Sequence, residues 1–92
     1  MTFSEFNPDA MEISDLEQFW ADSQSATYPQ AYDFFMMDGL SGITKVFRNL
    51  GNYCSNKAAA MRCRLDGDIP KALDYERICD DIYESLPHWA IW

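Results

Sequence analysis

Among its first forty residues the 92-residue chain has no Lys and no Arg, and it has a single histidine, His88. No apolar run approaches the roughly 18–20 residues of a membrane-crossing helix, which argues against a span. Glu5 and Asp9 stand where a secretory signal peptide would carry cations, so a cytoplasmic location is expected. No glycine-rich phosphate loop is present, and His88 has neither a second histidine nor a nucleophile–acid pair beside it. General acid–base or nucleophilic catalysis therefore has no set of residues to carry it, and the chain is expected not to be an enzyme. Cys54, Cys63 and Cys79 lack C-x-x-C spacing, and a three-Cys site completed by His88 would have eight or more residues between neighbouring ligands. Three reduced thiols packed as small hydrophobes are expected, with no metal and no cofactor. Strand-like alternation of useful length is also missing, which removes β architectures.

What remains is apolar and acidic. Hydrophobic residues make up 48% of the chain and aromatics 15%, too much for a disordered acidic tail and enough for one small core, so residues 1–92 read as one domain. The net charge of −8 is arranged in blocks. Residues 1–40 carry eight acids, Glu5, Asp9, Glu12, Asp15, Glu17, Asp22, Asp33 and Asp38; residues 41–64 carry Lys45, Arg48, Lys57, Arg62 and Arg64 and no acid; the remainder returns to a net −5. Two purposes fit this pattern. A basic central helix can pack between acidic neighbours, or an unbroken acidic N-terminal surface can steer a basic partner toward the protein.

Four helices are expected. Ser14-Asp15-Leu16-Glu17 matches a capping box, and Leu16, Phe19 and Trp20 follow at helical spacing, which predicts a helix to about Ser25 with these three facing inward. Upstream, residues 1–13 are open to an extended course or to a turn started by Pro8. Tyr28-Pro29 opens a second helix that Gly39 stops. Its residues Ala31, Tyr32, Phe34, Phe35, Met36 and Met37 are apolar nearly all round, which predicts the most buried element; a Met-rich partner groove is the alternative. Ser41 can cap a long third helix with a stripe of Ile43, Phe47, Leu50, Cys54, Ala58, Met61 and Leu65. Gly51 within it marks a kink or a close approach by the second helix. Gly67 ends the third helix, Asp68 caps the fourth, and Pro70 is tolerated in its first turn. The fourth helix carries Ile69, Ala72, Leu73, Tyr75, Cys79, Ile82, Tyr83 and Leu86 on its apolar side. The fold class is all-α, a small single-domain helical bundle whose last two helices form an antiparallel hairpin.

Leu65 to Tyr75, reading LDGDIPKALDY, resembles the turn and second-helix opening of a tetratricopeptide repeat, with Gly67-Asp68 at the turn, Ala72-Leu73 at packing positions and Ala60 near the small site of the preceding helix. The resemblance covers one repeat's worth and departs at Asn56 and Ala59, where large aromatics belong. It implies hairpin geometry and not the family's concave peptide-binding groove.

Asp80-Asp81-Ile82-Tyr83-Glu84 imitates an acidic metal motif, yet a chain this short cannot enclose a substrate cavity around it, so solvated surface is expected. Lys45, Arg48, Arg62 and Asn52, with Phe47 or Tyr53 available to stack, suggest at most a minor RNA contact, because the total charge opposes phosphate binding. The reverse arrangement fits better: Asp74, Asp81 and Glu84, or Asp15, Glu17 and Asp22, are acidic side chains spaced like backbone phosphates. Candidate partner-binding residues are Asp9, Glu12, Asp15, Glu17 and Asp22, with Lys45 and Arg48 as secondary contacts. The tail Pro87-His88-Trp89-Ala90-Ile91-Trp92 either tucks back onto the core or presents Trp89 and Trp92 as interface anchors.

In size, acidity and aromatic content the chain resembles the small inhibitors encoded by phages and mobile elements, including anti-CRISPR proteins. That resemblance implies a non-catalytic inhibitor of a nucleic-acid-handling host complex, with a basic nucleic-acid-binding surface, possibly a Cas effector complex, as its partner. A helical adaptor or antitoxin-like partner without nucleic-acid mimicry is the alternative.

Overall fold

The computed structural model describes residues 1–37 and 39–92; Asp38, one acid of the N-terminal block, lies outside them. The chain enters through two single 3₁₀ turns, Phe3–Glu5 and Pro8–Ala10, rather than a purely extended lead-in. The second turn starts because Pro8 presets its first φ and the Asn7 side chain accepts the Asp9 N–H at 3.2 Å. Between the turns Phe6 is buried against Phe19, Phe34 and Trp92.

Helix α1, Ile13–Gln24, has its cap two residues before the expected Ser14. Glu12 holds the N-cap position and Asp15 accepts its N–H at 3.3 Å, while Ser14 already lies inside the helix and Glu17 is drawn to Arg62. Leu16 and Phe19 face the core as expected, but Trp20 is 41% exposed. The reason lies at Gly51, where a Cβ would stand 2.7 Å from Ser23 Cβ and 3.4 Å from Trp20 Cα. The α1 backbone itself touches the third helix there, so a side chain as large as Trp20 has no room between them. The helix that approaches Gly51 is thus the first, not the second. Ser23, fully buried at the crossing, donates its hydroxyl to the Trp20 carbonyl at 2.8 Å.

Helix α2, Tyr28–Phe35, opens with Gln30 accepting the Thr27 N–H at 2.8 Å and Pro29 in the first turn. It stops earlier than Gly39, because Met36 takes a left-handed conformation with φ 56°. Ala31, Phe34 and Phe35 are buried, whereas Tyr28 and, just past the helix, Met36 and Met37 are exposed, so the apolar residues of this segment are not enclosed all round. Helix α3, Ile43–Leu65, is capped by Gly42 rather than Ser41. Ile43, Phe47, Leu50, Cys54 and Ala58 of its stripe are buried, Met61 is half-buried, and Leu65, past the end of the core, is exposed.

Gly67, at φ 81°, turns the chain into α4, Ile69–Ser85, where Asp68 accepts the Lys71 N–H at 3.3 Å. The α3–α4 contact runs antiparallel through small residues: Ala60 and Ala72 are buried, Cys79 donates its thiol to the Tyr53 carbonyl at 3.5 Å, and Arg64 meets Glu76. Small contacts let the helices approach closely, and they leave larger neighbours outside. Ile69, Leu73 and Ile78 are all about half-exposed, against the expectation that Ile69 and Leu73 face inward. α3 thus lies between α1 and α4, and the N-terminal turns, α2 and the tail cover one side of this layer. The tail tucks back through a turn at His88–Ala90: Trp89 meets Phe35, and Trp92 lies edge-on to Phe6, Tyr53 and Tyr83. Among the described residues no helix is long and apolar enough to cross a membrane.

Candidate protein-interaction surface

The N-terminal acids separate into two sets once α1 lies along α3. On the flank nearest α3, Asp9 pairs with Lys57 at 3.1 Å and Glu17 pairs with Arg62. Farther along the hairpin the Arg64 guanidinium donates twice to Glu76, at 2.7 and 2.9 Å, which holds the Glu76 carboxyl below its usual range. All three pairs are at least partly exposed to solvent, where such a pair contributes about 0–1 kcal/mol. They use three of the five cations of the central block.

The other flank has no such compensation. Asp15 and Asp22 stand two turns apart on α1, facing away from Glu17, and Asp33 projects from α2. None of the three has an ion-pair partner among the described residues. Asp22 and Asp33 border an open cleft of about 480 Å³ between α1 and α2, whose apolar floor is Ala26, Phe34 and Phe47. The Phe34 and Phe47 rings stack beneath it with centroids 4.7 Å apart. A second cleft of about 220 Å³ adjoins it, shares Asp22 and Met1, and adds Asp15, Gln18 and Phe19. Gln18 donates to one oxygen of Asp22 at 2.9 Å, leaving the other free.

Of the sequence-predicted residues, the fold therefore brings Asp15 and Asp22 to one surface. Asp9 and Glu17 turn toward α3, and Glu12 serves as the cap of α1. Lys45 sits elsewhere, in a cleft of about 440 Å³ with Ser41, Asn49 and Trp89; Arg48 is exposed without an ion-pair partner among the described residues. Phe47 is buried and Trp92 covers an edge of Tyr53, so neither ring is free to stack on a base. Trp89 and Trp92 are half-buried against the core. Asp33 was visible in the acid block, but only the packing of α2 beside α1 makes it a neighbour of Asp22.

The remaining reactive groups are scattered. Burial pushes the Cys54 thiol up to about 12 and the Cys79 thiol up to about 11, while Cys63 is half-exposed. Among the described residues no three His, Cys, Asp or Glu side chains are grouped to hold a metal ion. Comparison with protein-family models, with curated proteins and with solved structures finds no match to the chain.

Proposed function

We propose that the protein is a non-catalytic interaction inhibitor that docks its α1/α2 flank on a basic, nucleic-acid-binding surface of a host complex and blocks access of DNA or a required conformational change. The observation that carries this reading is the unpaired set Asp15, Asp22 and Asp33 around an apolar-floored cleft, in a chain that pairs Asp9, Glu17 and Glu76 with its own cations. Exposed carboxylates of one sign attract a basic surface at long range and compete with phosphates for it. The resemblance in size and acidity to anti-CRISPR proteins makes a CRISPR surveillance complex the partner to test first, with the protein encoded by a phage or mobile element and acting in the host cytoplasm. Lys45, in its separate cleft beside Trp89, and Arg48 are secondary polar contacts off this flank, and a minor RNA contact would use the same two residues.

The second reading, a helical adaptor or antitoxin-like partner without nucleic-acid mimicry, is favoured by a different observation: Leu65, Ile69 and Leu73 are exposed together near the hairpin turn. One experiment separates the two. The protein is immobilised, its partner captured, and the partner's DNA binding measured by fluorescence anisotropy with and without added protein. Inhibition of DNA binding by the native chain, and at least about tenfold weaker inhibition by the Asp15→Asn, Asp22→Asn, Asp33→Asn variant, is expected. A partner whose DNA binding is indifferent to the protein, with capture lost on changing Ile69 and Leu73 to serine, would favour the adaptor.

A further inference from the structure

We infer that a second copy of this chain docks on the exposed end of the α3–α4 hairpin, tip against tip about a two-fold axis that passes α4 between Ile69 and Leu73. This surface is separate from the acidic flank, and the inference does not rest on the inhibitor reading. Met61 of α3 and Glu76 of α4 line one cleft of about 300 Å³, which fixes the face of the hairpin they share. Leu65 stands one turn beyond Met61, and Leu73 and Ile69 stand one and two turns before Glu76, so these three continue the same face to the turn. Nearer the core that face is covered. The tail lays Trp92 against Tyr53 and Tyr83, and Asp9 of the second 3₁₀ turn reaches Lys57. Beyond this cover Leu65, Ile69 and Leu73 are 79%, 42% and 50% exposed, an apolar strip of the kind that marks an interaction site.

Charge decides which occupant the strip fits. Residues 61–79 carry four cations and four acids, so this end is neutral, and the whole net charge of −8 lies on the rest of the chain. Two copies repel each other wherever those acidic surfaces meet, and the hairpin tip is where they approach without that cost. The rim of the strip is also complementary to itself. In a two-fold contact each residue meets its counterpart's partner, so with the axis between Ile69 and Leu73 the Ile69 of one copy lies on the Leu73 of the other. Arg77 then projects about 9 Å to one side of the axis along α4, and Asp66, at the turn, about 7–8 Å to the other. The Arg77 of each copy therefore reaches the Asp66 of its mate, and neither residue has an ion-pair partner within its own chain among the described residues. Lys71 and Asp74, whose like charges would clash across the axis, lie about 180° and about 120° round α4 from the strip. Glu76, closer to it, is already neutralised by Arg64. Three aliphatic side chains from each copy make a small contact, so the association is weak, with a Kd between about 10 μM and about 1 mM.

The inference is tested by sedimentation equilibrium of the full chain from about 10 μM to about 1 mM at about 0.15 M salt, with a reducing agent present so that the free thiols do not cross-link copies. The average mass is expected to rise with concentration from 10.7 kDa toward twice that value. The Ile69→Ser, Leu73→Ser variant, changed only at exposed positions and checked for native helicity, should associate at least about tenfold more weakly. Arg77→Glu alone and Asp66→Arg alone each place like charges across both rims and should weaken association several-fold. An equimolar mixture of these two variants is expected to regain the native association, because both rim contacts of the mixed pair join opposite charges; an unrelated apolar contact has no reason to do so. A native chain that stays at 10.7 kDa at about 1 mM, association unchanged by the serine variant, or a mixture that associates no more tightly than its components would overturn the inference. A chain that stays single while the serine variant loses a captured partner overturns it too, and assigns the strip to a foreign protein.

Discussion

Gly51 and Ser23 lie where α1 and α3 cross closely, and the balance of forces there is decided by space. Alanine at position 51 would gain about 1 kcal/mol in helix propensity, yet its methyl group would lie far inside contact distance of the Ser23 hydroxyl and 2.7 Å from Ser23 Cβ. Overpacking wins by the usual magnitudes, so Gly51→Ala is expected to lower stability by about 1–3 kcal/mol in urea denaturation. Adding Ser23→Gly should restore part of the loss; a stabilised single variant would mean that the helices cross elsewhere. The buried thiols give a second test at this scale. Cys54 rises from an ordinary 9.0 to about 12, Cys79 to about 11 and Tyr53 from 10.0 to about 12, in each case chiefly through burial, which disfavours the charged form. Raised values in the folded state mean that the folded chain holds its protons longer than the unfolded chain. Their stabilisation is complete below about pH 9 and is lost as pH rises toward about 12. The urea midpoint is expected to decline across that window, and Cys54→Ala with Cys79→Ala should flatten the decline. Cys63 should react first with a thiol reagent at neutral pH, because the other two thiols are buried.

At the scale of elements, the sequence located all four helices because its breaks are local chemistry: Pro29 in a first turn, Gly67 in a left-handed turn, Asp68 as a cap. Their ends and faces depend on partners distant in the chain. Met36 ends α2 in a conformation that costs a non-glycine residue about 1 kcal/mol, and its side chain is 72% exposed. Met36→Gly is therefore expected to raise stability by about 0.5–1 kcal/mol; a loss would show that the side chain contributes packing. The face of α4 was ambiguous because apolar residues occupy several sides of it, and the small residues Ala72 and Cys79, not Ile69 and Leu73, make the close contact. Leu50→Ala, at a fully buried position on α3, should cost about 2–5 kcal/mol, whereas Leu73→Ala should stay within about 0.5 kcal/mol. Comparable losses at both positions would contradict the assigned face.

Taken whole, the molecule extends 44 × 23 × 20 Å with a radius of gyration of 13.3 Å, against about 12 Å for a compact chain of this length. The hairpin of α3 and α4 gives it that length, and the aromatic core lies toward the end where the tail folds over the N-terminal turns. Charge follows the same division. The block pattern of the sequence contained both uses of the acids, and the fold distributes them: Glu17 reaches an arginine 45 residues away in the chain, while Asp15 and Asp22 face solvent on the opposite flank. No counting of charges could separate these two sets, because the separation depends on which side of α1 lies against α3. Asp33 joined them only through the placement of α2.

The most direct test of the unpaired acidic flank is the association rate of the captured partner, measured by stopped flow at about 0.01 M and about 1 M salt, where charges are screened over about 30 Å and about 3 Å. The native chain is expected to associate at least about tenfold faster at low salt than at high salt, and the Asp15→Asn, Asp22→Asn, Asp33→Asn variant, with unchanged helicity, to associate at low salt near the native chain's high-salt rate. A variant that associates at low salt as fast as the native chain would contradict the account.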